Sequence, residues 1–255
     1  MLALKLLLVP ALLAVISMAG RRWGPGVAGW LAGFPSLTGP ILFFLAIERG
    51  PEFTTQAAVL SLACVFSAIS FGATYAWACR RFGWPGSLAC AFAAWALAAL
   101  LLASLPLTAA ASLALSLVAL FVAPRLFPRA QAQWGSQPLP ASELLARMAA
   151  GALMVLGVTA AAEALGSVWT GLFAAFPVMS TVLAVFSQRA NGPGFVVALL
   201  RSMIGGFYSY LVYCLSVALL LERFGIAVTF SIAVAAAVGV QGLARAVIMR
   251  FERRT

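Results

Sequence analysis

The chain has 255 residues, of which 64% are hydrophobic and 9% charged, with mean hydropathy +1.07 and formal net charge +10. A soluble domain of this length needs far more charged residues to cover its surface, so the composition specifies an all-α, polytopic membrane helix bundle. Histidine is absent, which removes the commonest general base, proton shuttle and metal ligand together.

The first apolar segment, 2–20, carries Lys5 and ends before Arg21 and Arg22. It has the apolar run of a signal peptide, with Ser17-Met18-Ala19 as a conceivable cleavage site. Cleavage there would carry Arg21 and Arg22 outward, so we read the segment as a retained helix. The second, 25–47, contains GWLAGFPSLTGP, with Pro35 and Pro40 near its middle. Proline removes a backbone donor and clashes with the preceding turn. In hydrocarbon such a break survives only where protein or a wet cavity satisfies the freed groups.

Further windows of about 20 apolar residues, enough to cross the core, fall at 52–79, 86–104 and 107–124. A proline-bearing polar linker, 125–142, follows. The remaining segments are 144–165, 167–188, 194–221 and 226–248. Nine crossings with the N-terminus outside and the C-terminus inside put 13 basic residues within. They are Arg21, Arg22, Arg80, Arg81, Arg125, Arg129, Arg147, Arg189, Arg201, Arg245, Arg250, Arg253 and Arg254. Lys5, Arg49 and Arg223 remain outside, a separation that the positive-inside rule favours. The basic residues occur in ones and twos at segment ends, which argues against nucleic acid as a partner. They favour anionic lipids on the inner side.

Shifting the chain by 142 residues lays 24–83 on 166–225 without a gap, with 14 identities in 60. The pairs include Phe34/Phe176, Pro35/Pro177, Gly50/Gly192, Pro51/Pro193 and Ser67/Ser209. Helices 1–4 (residues 1–104) therefore match helices 6–9 (143–255), and 105–142 supplies a connecting helix and linker. The odd offset of five crossings inverts the second repeat. Inverted repeats with discontinuous helices recur in secondary transporters, with the site near the midplane.

The candidate substrate-lining residues are Phe34, Pro35, Ser36 and Thr38 at the first break, and Phe176, Pro177, Ser180 and Thr181 at the second. A packing role is the other reading of the same stretch. Gly29-xxx-Gly33 and Gly171-xxx-Ala175 let helices approach closely, and the hydroxyls, with Thr170, would then satisfy freed carbonyls.

At these residues the chain resembles the GlpM-like group of small bacterial inner-membrane proteins. The pattern is Ala32-Gly33-Phe34-Pro35, then Glu48-Arg49-Gly50, a long third helix and the Trp95-Ala-Leu-Ala-Ala run. The likeness covers about 25–103. It implies a four-helix unit, here fused to a second copy in which Ala190-Asn191 replaces Glu48-Arg49. It carries no molecular function with it. The group, the 15 arginines against one lysine and the abundant alanine point to a bacterial cell membrane.

Ionisable residues inside a membrane are functional candidates by default. Glu163 lies about 30 Å along the helix from Glu143 and Arg201 about 12 Å beyond Pro193, at 1.5 Å per residue; both suit interfacial anchoring, with Arg201 snorkelling. No base–nucleophile pair, cofactor loop or metal-ligand spacing is present, and Cys64, Cys79, Cys90 and Cys214 are scattered. The expected activity is therefore non-enzymatic: secondary or passive permeation of a neutral, amphipathic or lipid-like solute. The alternative is a structural or accessory protein that binds lipid or a membrane partner. A fused inverted pair closes its own symmetry, so a monomer suffices.

Overall fold

The computed structural model describes the backbone of residues 2–105, 107–129, 140–165 and 176–252, and their side chains apart from 2, 162–165 and 244–252. Every regular element described is a helix: α1 (Leu2–Trp23), α2 (Pro25–Ala32), α3 (Thr38–Arg49), α4 (Pro51–Ala78), α5 (Trp84–Ala103), α6 (Ala109–Leu126), α7 (Ala141–Leu165) and α8 (Val178–Glu252). Six stretches among the described residues are long and apolar enough to cross a membrane: Ala3–Trp23, Pro51–Ala78, Trp84–Ala103, Ala109–Leu126, Ala141–Ala161 and Val178–Leu243. The protein is an all-α integral membrane protein.

The last stretch covers 66 residues, about 100 Å at helical rise, against a hydrocarbon core of roughly 30 Å. It is not one rod. Gly192 (φ 79°, ψ 179°) and Gly225 (φ 72°, ψ 177°) divide α8 into 178–191, 193–224 and 226–252. Tyr213 meets Phe230 with ring centroids 6.3 Å apart, and Ser209 meets Gln241, so the chain folds back at Gly225.

Gly24 and Gly50 hold the same conformation, φ 84° and 86° with ψ 173° and 171°. This region is essentially reserved for glycine. Gly24, Gly50 and Gly192 each precede a proline, whose fixed φ and missing N–H suit the first helical position. Glycine turns the chain and proline starts the next helix.

Two long helices form the centre. Half of the most apolar window of α4 is buried, against 17% for α7, and 193–224 packs beside α4 with α2, α3, α5 and α6 around the pair. Phe71, Tyr75 and Leu62 of α4 and Val196, Leu199 and Val217 of α8 are fully enclosed. At 28 residues α4 measures about 42 Å, longer than the roughly 30 Å core. In such a helix length mismatch is relieved by tilt. On the far side α1 packs against α7.

Candidate functional site

The first break falls where the sequence places it. Helix α2 ends at Ala32, α3 begins at Thr38, and Gly33 to Leu37 run as turns between them. The Phe34 N–H donates to Leu31 O at 3.1 Å, one residue past its helical acceptor, Trp30. That leaves the Trp30 carbonyl to another donor, and Gln241 Nε2 reaches it at 2.9 Å from 226–252. Gln241 Oε1 stands 2.5 Å from the Ser209 hydroxyl, which is also 2.7 Å from Gly206 O. The fully buried Ser209 and the nearly buried Gln241 thus meet their hydrogen-bonding needs against the break. A lone amide in hydrocarbon is expensive unless paired in this way.

Below the break, Thr38 Oγ1 donates to Tyr210 Oη at 3.4 Å, and Tyr213 Oη donates to Gly39 O at 3.2 Å. Ser61 adds a further hydroxyl beside the Tyr210 oxygen. Ser36 is half-buried and directs its hydroxyl to Phe34 O at 3.5 Å, the edge of bonding range. The break is therefore wrapped by polar groups of α8.

The adjoining turn of α2 is packed backbone to backbone. A Cβ on Gly29 would overlap the Leu199 carbonyl oxygen and the Ser202 hydroxyl. One on Gly33 would stand 2.5 Å from Met203 O and 2.8 Å from the Gly206 Cα. Positions 199, 202, 203 and 206 share one helical face, so Gly29-xxx-Gly33 lies flat along 193–224. This is the close approach that small-xxx-small patterns permit. The Ser202 hydroxyl sits 3.2 Å from Pro25 O and 2.8 Å from Leu199 O.

At the second break Phe176 and Pro177 lie directly ahead of α8, and Thr170, Gly171 and Ala175 fall outside the described residues. Val178 N–H donates to Phe176 O at 2.8 Å and Thr181 N–H to Pro177 O at 2.9 Å. At the first break the equivalent bonds run from Ser36 to Phe34 at 2.7 Å and from Gly39 to Pro35 at 2.8 Å. An i to i+2 bond centred on proline is the tight turn that a fixed φ near −65° prepares. Phe176 stacks on Phe92 (5.1 Å, 30°) and meets Trp95 edge-on (5.2 Å, 75°), both on α5. Ser180 and Thr181 are buried, the latter with no hydrogen bond to its Oγ1.

Of the ionisable candidates, Arg201 turns its side chain to α6. Arg201 donates to Phe127 O at 3.3 Å and Pro128 O at 3.2 Å, tying 193–224 to the end of α6. Glu163 belongs to α7, and its side chain lies outside the described residues. Arg147 is more enclosed than Arg201, 4% exposed; it pairs with Glu143 at 2.5 Å, donates to Ser17 at 3.1 Å and lies over the Phe186 ring. Among the described residues no three His, Cys, Asp or Glu side chains cluster as a metal site.

Gln241, Ser209, Tyr210 and Tyr213 escape the reading of breaks and charges because none is charged or next to a proline. The available signal was a single glutamine within the apolar 226–248. A groove of about 880 Å³ opens elsewhere, between α4, α5 and α6, and none of the sequence-nominated residues lines it. No family model, curated protein or solved structure matches the chain.

Proposed function

We propose that the chain is a small secondary or passive carrier for a neutral, amphipathic or lipid-like solute, working at the two helix breaks. In this reading residues 1–104 and 143–255 are inverted four-helix repeats joined through 105–142. They give nine crossings with the N-terminus outside and the C-terminus inside a bacterial cell membrane. Each repeat corresponds to the single unit of the GlpM-like group that the chain resembles.

The observation that carries this reading is the recurrence of the same two backbone bonds at Phe34-Pro35 and Phe176-Pro177, 142 residues apart. The same offset relates Gly50 to Gly192 in their shared φ and ψ. It also relates the Ser67 hydroxyl on Cys64 O to the Ser209 hydroxyl on Gly206 O. Contacts exchange between the halves as an internal two-fold requires. The first break meets 226–252 through Gln241, and the second meets α5 through Phe92 and Trp95. Paired discontinuous helices crossing at such an axis are the working parts of secondary transporters. The crossing of Gly29 and Gly33 on 193–224 is then the closed seam of one state, and the path opens when α2 parts from it.

The close fit at Gly29 and the amide cap on Trp30 favour the second reading, a non-transporting membrane protein that binds lipid or a partner. Thiol-reagent access separates the two. Single cysteines at Ser36, Thr38, Ser180 and Thr181, in a chain with all four native cysteines replaced, are exposed to a membrane-impermeant reagent in intact cells. The carrier reading expects labelling at both breaks, faster in one orientation of the membrane than the other. Full protection from both sides, with loop cysteines reactive, overturns it.

A further inference from the structure

The groove between α4, α5 and α6 lies on the outer flank of the bundle. Its walls are almost wholly apolar, with Phe66, Trp77, Ala94, Leu97 and Leu126 among them, and Arg81 lines the same groove. The space exists because alanines at 73, 94 and 98 face one another where larger residues would close it. From Phe66 α4 rises about 18 Å to its end at Ala78, and Arg81 stands on the turn beyond. One leaflet of hydrocarbon is half of roughly 30 Å, so the groove runs from the level of a headgroup to beyond the midplane.

Its polar end is positively charged, and no acidic residue is among its described lining. Arg80 lies beside Arg81, over the Trp77 ring at 5.2 Å, and Arg125 projects from the end of α6 over Phe121 at 5.0 Å. The ion pair of Arg147 with Glu143 belongs to α7. The acidic residue on α4 is Glu52, about 39 Å along the helix from its Ala78 end. Trp77 Nε1 donates to Leu126 O at 2.7 Å and fixes the two walls together at this end. Exposed Trp77 and Phe82 supply the aromatic collar typical of a membrane interface.

We propose that this groove seats an acyl chain of an anionic phospholipid, with the lipid phosphate held by Arg81. A guanidinium matches a phosphate with two parallel hydrogen bonds. The apolar trough takes the chain that the headgroup anchors. This site is separate from the helix breaks and stands whether or not the protein carries a solute.

The test is photo-cross-linking in phosphatidylcholine vesicles holding a trace of phosphatidylglycerol with a diazirine on its acyl chain. Cross-links should concentrate in 66–82 and 90–101. Unlabelled phosphatidylglycerol should compete about fivefold better than phosphatidylcholine, since one arginine near an anionic surface contributes on that scale. Ala94→Trp should abolish the groove cross-links while those on α1 and α7 persist and the melting temperature holds. Arg81→Gln should remove the headgroup preference and retain the protein's yield. Cross-links spread evenly over the lipid-facing helices, or equal competition by the two lipids, would overturn the proposal. So would a Cys90–Cys90 disulfide between copies on mild oxidation, because Cys90 lines the groove and a second copy would then be its occupant.

Discussion

The two Phe-Pro breaks share their backbone bonds and differ in the described side chains around them. At Phe34-Pro35 the neighbours are Gln241, Ser209, Tyr210 and Tyr213; at Phe176-Pro177 they are the rings of Phe92 and Trp95. The backbone turn is a local property, dictated by a proline that cannot donate and a glycine or hydroxyl residue nearby. The environment is a tertiary property, and it differs between the two. Gln241 corresponds to Ala99 at the 142-residue offset, and Tyr213 to Phe71. One break is held by amide and hydroxyl groups, the other by aromatic surface.

The comparison breaks most severely where the backbones touch. Gly33→Leu should destabilise the folded protein by about 3 kcal/mol or more, because overpacking against a rigid backbone has no side chain to yield. The control is Gly26→Leu, where nothing stands within 4 Å of the new Cβ. Thermal unfolding in detergent should separate the two variants, and equal melting temperatures would refute the packed crossing.

Next in size is the amide. Gln241→Leu withdraws the donor from Trp30 O and the acceptor from Ser209, and we expect a loss of about 1–2 kcal/mol. Phe92→Leu at the other break removes a stacked ring worth about 1 kcal/mol beyond its area. Denaturant titration of both variants and the double variant should give additive losses, since the sites share no partner. The smallest change is Tyr210→Phe. Its long 3.4 Å contact with Thr38 should be worth no more than about 0.6 kcal/mol, the mean found for hydrogen bonds between membrane helices.

Much of this frame was legible in the chain itself. Apolar runs delimit the helices, and Pro35 marks the first break; the residues ahead of Phe176 lie outside the described ones, so Pro177 is seen only at the start of α8. Gly50-Pro51 and Gly192-Pro193 mark turns that only glycine can make. The Gly29–Gly33 approach was one of two open readings, and the coordinates choose it for that turn of helix. The cap on Trp30 was not legible, because Gln241 lies 211 residues away and helical periodicity carries no information about which faces meet. The groove was hidden for a related reason. It is defined by alanines on two helices, and an alanine in an apolar run reads the same whether it faces a neighbour or an empty space. Arg201 behaves as an anchor, yet its partners are protein carbonyls at the end of α6 rather than headgroups.

The glycine turns carry a further consequence for biogenesis. Gly50 alone separates α3 from α4, and Gly192 and Gly225 alone punctuate 178–252. A single residue is too short to leave one segment lodged in the bilayer while the next waits in water. Segments joined in this way enter a bilayer together rather than one after another. The turn at Gly225 is exposed from Glu222 to Gly225, a single short site for a protease or a soluble factor to reach.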